Sequence, residues 1–478
     1  MTIPVSPPST DLDERMKVFS RYLDRTNMTH NPYQFDGVRW CLHNELCEDA
    51  PANVRGGIIA DEMGLGKTII MIGTCVCNIL PKTLIILPVA LIDQWSAQIF
   101  RTTGYKPLIY HGTKRFKISL EKIQGARIVL TSYNTVACTP AKLLKKRVSL
   151  LHLIKWDRLI FDEAHHLRNG KTSRLFGSKL LMGKIRWMVS GTPIQNKKRD
   201  FYTICSAVKM PASLYTDVNN RHLITSHFIL KRTKKEVGIN IPDISIINEE
   251  VFCKNKKEQA LSEEIHSNLG FSQIAYKDTM SGIFLGNNPL LSVLMARQCC
   301  VWPKLIYKYA LANDMEKEYA GAFASSSKLD CVADVILSRK SNGSGKLIFC
   351  HFRDEIDEIK KRLLEGGMQK VEGFDGRTTL KKRHDIISQK NDAIILQIQT
   401  GCEGLNLQEN YSEIYFISPD WNPAMEEQAI ARCHRIGQTK PVYVFRFIMT
   451  WHENDAKTVD CYIKDTQEAK QLIASELF

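Results

Sequence analysis

Eight consecutive residues, Asp61-Glu62-Met63-Gly64-Leu65-Gly66-Lys67-Thr68, combine two glycines, an amine and a hydroxyl in the order that phosphate binding needs. Glycine at 64 and 66 lets backbone N–H groups close around a phosphate chain. Lys67 can reach the terminal phosphates, and the Thr68 hydroxyl can hold Mg²⁺. The strict phosphate-loop pattern asks for glycine where Asp61 stands, so an ordinary glycine turn would also fit these residues taken alone. Further along, Asp162-Glu163-Ala164-His165 supplies two adjacent carboxylates. Nucleotide hydrolysis has a task for each: Asp162 to hold Mg²⁺, usually through water, and Glu163 to orient or deprotonate the attacking water. Such a pair also suits a helix N-terminus, but the phosphate loop upstream favours the hydrolytic reading. Gln34 precedes the loop; its amide can donate to one adenine edge atom and accept from another, although a surface glutamine beside a Pro turn is the commoner pattern.

These residues need a scaffold that brings them to one edge. Gly57 to Ala60 reads as a buried strand leading into the loop, and Ile69 to Ile72 as the opening of a helix. Thr83 to Leu87, Leu108 to Tyr110, Arg127 to Thr131, Arg158 to Phe161 and Arg186 to Val189 are further β-rich runs, separated by helical patterns. That alternation predicts a parallel sheet with crossover helices, whose ligands collect beyond the carboxyl ends of the strands. From about 200 to 325 strand signals thin out and lysine-rich helical patterns take over. The basic run Lys231 to Lys235 suits a solvated face at least as well as nuclear import or a phosphate contact. Ala322 to Ser327 and Ser341 to Gly345 read as flexible connections.

A second α/β unit then begins. Lys346 to Cys350 and Ala393 to Gln397 are strands, Asp354 to Leu364 is an amphipathic helix, and Gln399 to Leu407, with Gly404, offers small residues to a ligand's approach. A helix carrying Gln428, Arg432 and Arg435 is expected to run to Gly437, which places the two arginines on one face. This half has no phosphate loop. Two similar sheets with one loop suggest a nucleotide gripped between lobes, with the second lobe supplying the arginines.

Length and composition agree with this. The 478 residues suit two or three domains, and 44% hydrophobic with 24% charged residues is ordinary for folded protein. An excess of 65 basic over 51 acidic residues makes a polyanionic partner plausible. The fourteen cysteines contain no C-x-x-C pair, so no structural zinc is expected and buried, reduced thiols are. With no signal peptide and no apolar run of spanning length, a soluble intracellular protein without membrane contact is expected.

The motifs together resemble those of superfamily 2 helicase-type motors, and among them the Snf2 family of double-stranded-DNA translocases. Asp61 to Thr68 is similar to that family's motif I, which accounts for the missing glycine; Asp162 to His165 is similar to motif II, and Ser190 to Asn196 to motif III. Gln399 to Leu407 is similar to motif V, and Gln428-Ala429, Arg432 and His434 to Gln438 to motif VI. The resemblance implies two RecA-like lobes with parallel sheets and helical insertions between them, divided as an N-terminal lead at 1–28, an ATP-binding lobe at 29–245, a helical insertion and linker at 246–325 and a second lobe at 326–478. It further implies ATP and Mg²⁺ as cofactors. Lys67, Asp162, Glu163, Arg432 and Arg435 would be catalytic. Gln34, Asp61, Gly64, Leu65, Gly66, Lys67, Thr68, Gly404 and Gln428 would hold the nucleotide, and Thr68 and Asp162 the metal. The partners would be duplex DNA with transcription or chromatin proteins, in a nucleus. Ala431 stands where many members carry Asp, and there is neither a zinc-binding RING insert nor a chromatin-reading module. Such a bare motor is similar to the copies carried by large DNA viruses, such as the global-transactivator-like proteins of baculoviruses. The expected function is a DNA-dependent ATPase that translocates on duplex DNA. A strand-separating helicase is the alternative, and a non-catalytic DNA-binding scaffold ranks behind it because the catalytic residues are all present.

Overall fold

A computed structural model describes residues 9–191, 198–267, 269, 289–401, 405–451 and 457–477. The chain divides into two compact units, residues 1–240 with 473–478, and residues 241–472.

The first unit is built on a wholly parallel seven-stranded sheet. Its strands are β1 (Arg55–Ile59), β2 (Thr83–Leu87), β3 (Leu108–Ile109), β4 (Ile128–Ser132), β5 (Lys155–Asp162), β6 (Met182–Val189) and β7 (Ile229–Leu230), in the order β3-β4-β2-β5-β6-β1-β7. Side chains alternate across a strand, so a sheet covered on both faces wants apolar residues at every position. β2 meets this with Thr83 to Leu87, all buried: Leu84 and Ile86 join one apolar cluster, Ile85 and Leu87 the other. The second cluster also takes in α1 (Ser9–Arg25) and α2 (Pro32–Leu46), packed on α3 (Lys67–Cys77). The N-terminal segment is therefore part of this core: Phe19 of α1 fills the notch at Gly73 of α3, where a Cβ would lie 2.5 Å from its ring.

Two buried charges tie the layers together. Glu45 at the end of α2 accepts from Arg158 Nε at 2.6 Å, Trp187 Nε1 at 2.8 Å and Asn78 Nδ2 at 2.7 Å. It thus joins β5, β6 and the segment after α3 through one carboxylate. Removing one partner of such a pair leaves the other charge buried and unmatched, which costs roughly 3–5 kcal/mol. Glu45→Ala is expected to lower the denaturation midpoint accordingly, and Glu45→Gln, which keeps the shape, to lower it less. Arg186 on β6 is balanced differently. Its guanidinium donates to the carbonyls of Ser178 and Leu181, at the end of the helix Ser173–Leu180, and to Ala207, the last residue of the helix Lys198–Ala207. Two helix C-termini, each carrying partial negative charge, face one cation; burial pulls its pKa down to about 10.

The second unit carries a parallel six-stranded sheet: β8 (Ile244–Phe252), β9 (Gly345–Cys350), β10 (Val371–Phe374), β11 (Ala393–Gln397), β12 (Tyr411–Phe416) and β13 (Val442–Thr450), in the order β10-β11-β9-β12-β13-β8. Both units thus have the parallel-sheet form with interleaved helices expected of RecA-like lobes. The expected start of a helical insertion at 246 falls inside β8, which pairs with β13 over nine residues. Its residues Ile244 to Phe252 mix polar and apolar types, so neither a strand nor a helix pattern stands out in the sequence.

Two further expectations are corrected. Ala322 to Ser327 is not a flexible connection: Ala320–Phe323 is helical, a second helix starts at Ser327, and the Ser325 and Ser327 hydroxyls donate to Glu258. Small residues are there because helices pack closely. The helix carrying Gln428 ends at Ile430 and does not reach Gly437. Past it the chain turns tightly, with His434 N–H donating to Ile430 O at 2.8 Å and Leu407 N–H to Arg432 O at 3.1 Å, so that Cys433 is buried under the sheet. Among the described residues no helix is long and apolar enough to cross a membrane.

Candidate nucleotide site

β5, β6 and β1 are adjacent and parallel, so their carboxyl ends lie side by side. They deliver Asp162, Ser190 and the Asp61–Thr68 loop to one edge. The loop turns on Gly64 and Gly66, at φ +95° and +78°, and α3 begins at Lys67 with Gly66 as its N-cap. The first N–H groups of α3 have no acceptor within the helix, the condition for anion binding. Lys67 Nζ donates to the carbonyls of Asp61 at 2.8 Å and Glu62 at 3.3 Å, and it lies 3.2 Å from where a Cβ on Gly191 would be. An ammonium held over a glycine turn beside an open helix N-terminus fits the phosphates of ATP.

Gln34 is buried against the loop, its Nε2 donating to Leu65 O at 3.4 Å, so the surface alternative for this residue does not hold. A Cβ on Gly66 would lie 2.6 Å from that same Nε2. Leu65 is in the core, and its side chain faces away from solvent. Asp61, the residue in place of the usual glycine, has its carboxylate held by Arg232 through Nε at 3.1 Å and a terminal nitrogen at 2.5 Å. Arg232 also donates to Tyr33 O at 2.5 Å, and Lys234 pairs with Glu62 at 2.9 Å. The basic run at 231–235 therefore braces the phosphate loop through Arg232 and Lys234. Sequence reasoning missed this pairing because 171 residues separate Asp61 and Arg232 and no periodicity links them.

Asp162 ends β5. Its Oδ2 accepts from Trp95 Nε1 at 2.7 Å, its Oδ1 from the Glu163 N–H at 3.1 Å, and its carbonyl from Tyr133 Oη at 2.7 Å. Burial first, then the charge of Glu163, pushes its carboxyl well above the ordinary range; the Trp95 bond opposes the shift. Two adjacent carboxylates at a strand end suit Mg²⁺. Glu163 has a left-handed backbone at φ +50°, and its Oε2 lies 3.3 Å from His165 Nδ1, which in turn lies 3.4 Å from Ser190 Oγ. The second and third motifs meet there. Thr192 to Asn196 lies outside the described residues, as does Gly404.

In the second unit, among the described residues, Gln428 is buried with no hydrogen-bond partner for its Nε2, and the Nε atoms of Arg432 and Arg435 are likewise buried without a partner. Arg435 donates through a terminal nitrogen to Asn406 Oδ1. Burial and then the Arg432 charge lower the pKa of Arg435. Among the described residues neither arginine pairs with a carboxylate. Adjacent cations and an unsatisfied amide donor suit an incoming anion.

The SNF2-related domain family matches residues 33–305, and the Helicase conserved C-terminal domain matches residues 327–437. The chain belongs to the SNF2-related family. It therefore carries a Snf2-type core. It is 28% identical over 492 residues to an uncharacterized ATP-dependent helicase of Mycoplasma pneumoniae, an alignment covering 97% of this chain and 44% of that one. It is 26% identical over 480 residues to the probable global transactivator of Orgyia pseudotsugata multicapsid polyhedrosis virus, covering 95% and 92%. With the ATP-dependent DNA helicase DDM1 of Arabidopsis thaliana it shares 27% over 466 residues, covering 87% and 58%. This Snf2-type chain thus spans less than half of the bacterial relative and nearly all of the viral one. Among solved structures, the Sulfolobus solfataricus SWI2/SNF2 ATPase core in complex with dsDNA covers 88% of each chain at 25% identity, with a TM-score of 0.40.

Proposed function

We propose that this chain is a DNA-stimulated ATPase that translocates on duplex DNA and so remodels protein–DNA complexes or supports transcription. The observation that carries the DNA reading is the distribution of charge. Between residues 101 and 190 there are 19 basic and four acidic residues, while the rest of the chain holds 46 and 47. The whole positive excess lies in that part of the first unit. Lys114 and Lys117, after β3, and Lys142, Lys145, Lys146 and Arg147, after β4, are exposed, and both segments follow carboxyl ends on the edge that also holds the phosphate loop. His111 Nδ1 meets Ser132 Oγ at 3.0 Å and ties the two segments together. A cationic rim without base-reading geometry suits a phosphate backbone.

In this proposal Gln34 holds the adenine, the loop at 61–68 and Lys67 hold the phosphates, and Thr68 and Asp162 hold Mg²⁺. The metal, when bound, neutralises charge on the β- and γ-phosphate oxygens. Glu163 orients water, and Arg432 and Arg435 meet the charge that develops on the γ-phosphoryl oxygens. Action on transcription or chromatin complexes in a nucleus, the host's for a viral copy, belongs to the same proposal.

Titration of duplexes of scrambled sequence at several salt concentrations tests it. Affinity is expected to fall steeply with salt and to vary little with sequence. Replacing Lys145, Lys146 and Arg147 by Gln should flatten the plot of log K against log salt by about 0.9 for each phosphate no longer neutralised. A strong preference for one sequence, or a slope untouched by the triple replacement, would remove the rim from its role.

A further inference from the structure

The residues of the second motif do not by themselves determine where the Asp162 carboxylate points. Trp95, on α4 (Ile92–Thr103), reaches it from an element 67 residues earlier, Nε1 donating to Oδ2 at 2.7 Å. The indole is buried at 1% exposure among Leu91, Ile92, Ile99, Leu130 and Ile160. Its ring cannot turn away without opening the core. An indole N–H donates only, does not titrate and cannot ligate a cation. It therefore fixes the direction of Oδ2, while Oδ1 accepts the Glu163 N–H at 3.1 Å.

We infer that Trp95 is a positioning residue for the cation-facing carboxylate, so that the Mg²⁺ requirement of this enzyme depends on a helix outside its phosphate and carboxylate motifs. The inference rests on the reading of Asp162 as the Mg²⁺-facing acid. Mg²⁺ demands near-ideal octahedral geometry, usually keeping several waters, so the direction of an acidic ligand decides how well it is held. Groups that orient a metal's ligands typically cost 10–100-fold in metal affinity when removed.

The test removes the N–H and keeps the shape. Trp95 is replaced in the full chain by 3-benzothienylalanine, in which sulfur stands for the indole N–H, and separately by Phe. The readout is the Mg²⁺ concentration that half-saturates the rise in melting temperature given by ADP, with the Mg²⁺ dependence of ATP turnover beside it. Half-saturation is expected to move up about tenfold or more in the benzothienyl variant, which keeps the core shape and loses only the bond to Oδ2. Turnover is expected to recover in part at high Mg²⁺, and the Phe variant to show the same shift with some loss of stability. An unchanged half-saturation in the benzothienyl variant overturns the inference. Asp162→Asn separates the two readings. If it shifts the Mg²⁺ requirement and the benzothienyl variant does not, Trp95 alone loses its role; if it shifts nothing, the reading of Asp162 fails and the inference with it.

Discussion

Arg432→Ala or Arg435→Ala is expected to leave ATP binding largely intact and to remove DNA-stimulated turnover, by a factor of ~10³ or more. In the proposed site Lys67 and the phosphate loop would hold the ground-state nucleotide, so the binding arm of the measurement is expected to change little. The arginines are fixed, always-charged forks suited to charge spread over phosphoryl oxygens. If they merely bridged to acids of their own lobe, each would show a carboxylate partner. Among the described residues neither does, and both Nε atoms are buried without an acceptor. They belong to the second unit while Lys67 belongs to the first. The measurement is the ratio of ATPase rates with and without duplex DNA. A preserved ratio in both single variants, with only a lowered melting temperature, would show that the arginines are structural.

Replacement of the phosphate-loop amine has the other large effect. Lys67→Ala is expected to abolish turnover, since in the proposed site Nζ would be the charge offered to the terminal phosphates. Glu163→Gln separates binding from chemistry. Glutamine keeps the shape and a hydrogen-bonding group beside His165 but loses the carboxylate, so nucleotide and Mg²⁺ should still bind while hydrolysis falls by ~10²–10⁴. Equilibrium binding of a fluorescent nucleotide and a single-turnover assay read the two separately. Near-normal turnover in Glu163→Gln would move the water-orienting role to another residue.

The fold was legible where local pattern and tertiary environment agree. Thr83 to Leu87 and Ala393 to Gln397 are short apolar runs because both faces of each sheet are covered, and a run buried on two sides carries its burial in its composition. β8 was not legible, because its Asn248, Glu249 and Glu250 break the apolar run while pairing with β13 holds the strand. The turn after Ile430 was missed for a related reason: Gln428, Arg432 and Arg435 have helical spacing, but burial of Cys433 and the Leu407 bond to Arg432 O bend the chain first.

Local sequence carries the chemistry in order along the chain: a phosphate loop, two carboxylates and two arginines, each defined by neighbours a few residues away. Membership of the SNF2-related family follows from that order. Which partners those groups keep is a property of the packing alone. Arg232 holds Asp61, Trp95 holds one oxygen of Asp162, and Glu45 gathers Arg158, Trp187 and Asn78. A buried polar group must be hydrogen-bonded, but that requirement does not say from which element the partner comes. In a parallel sheet consecutive strands are joined by crossovers, so side chains that touch at its edge are far apart in the chain, and no local pattern can announce their pairing.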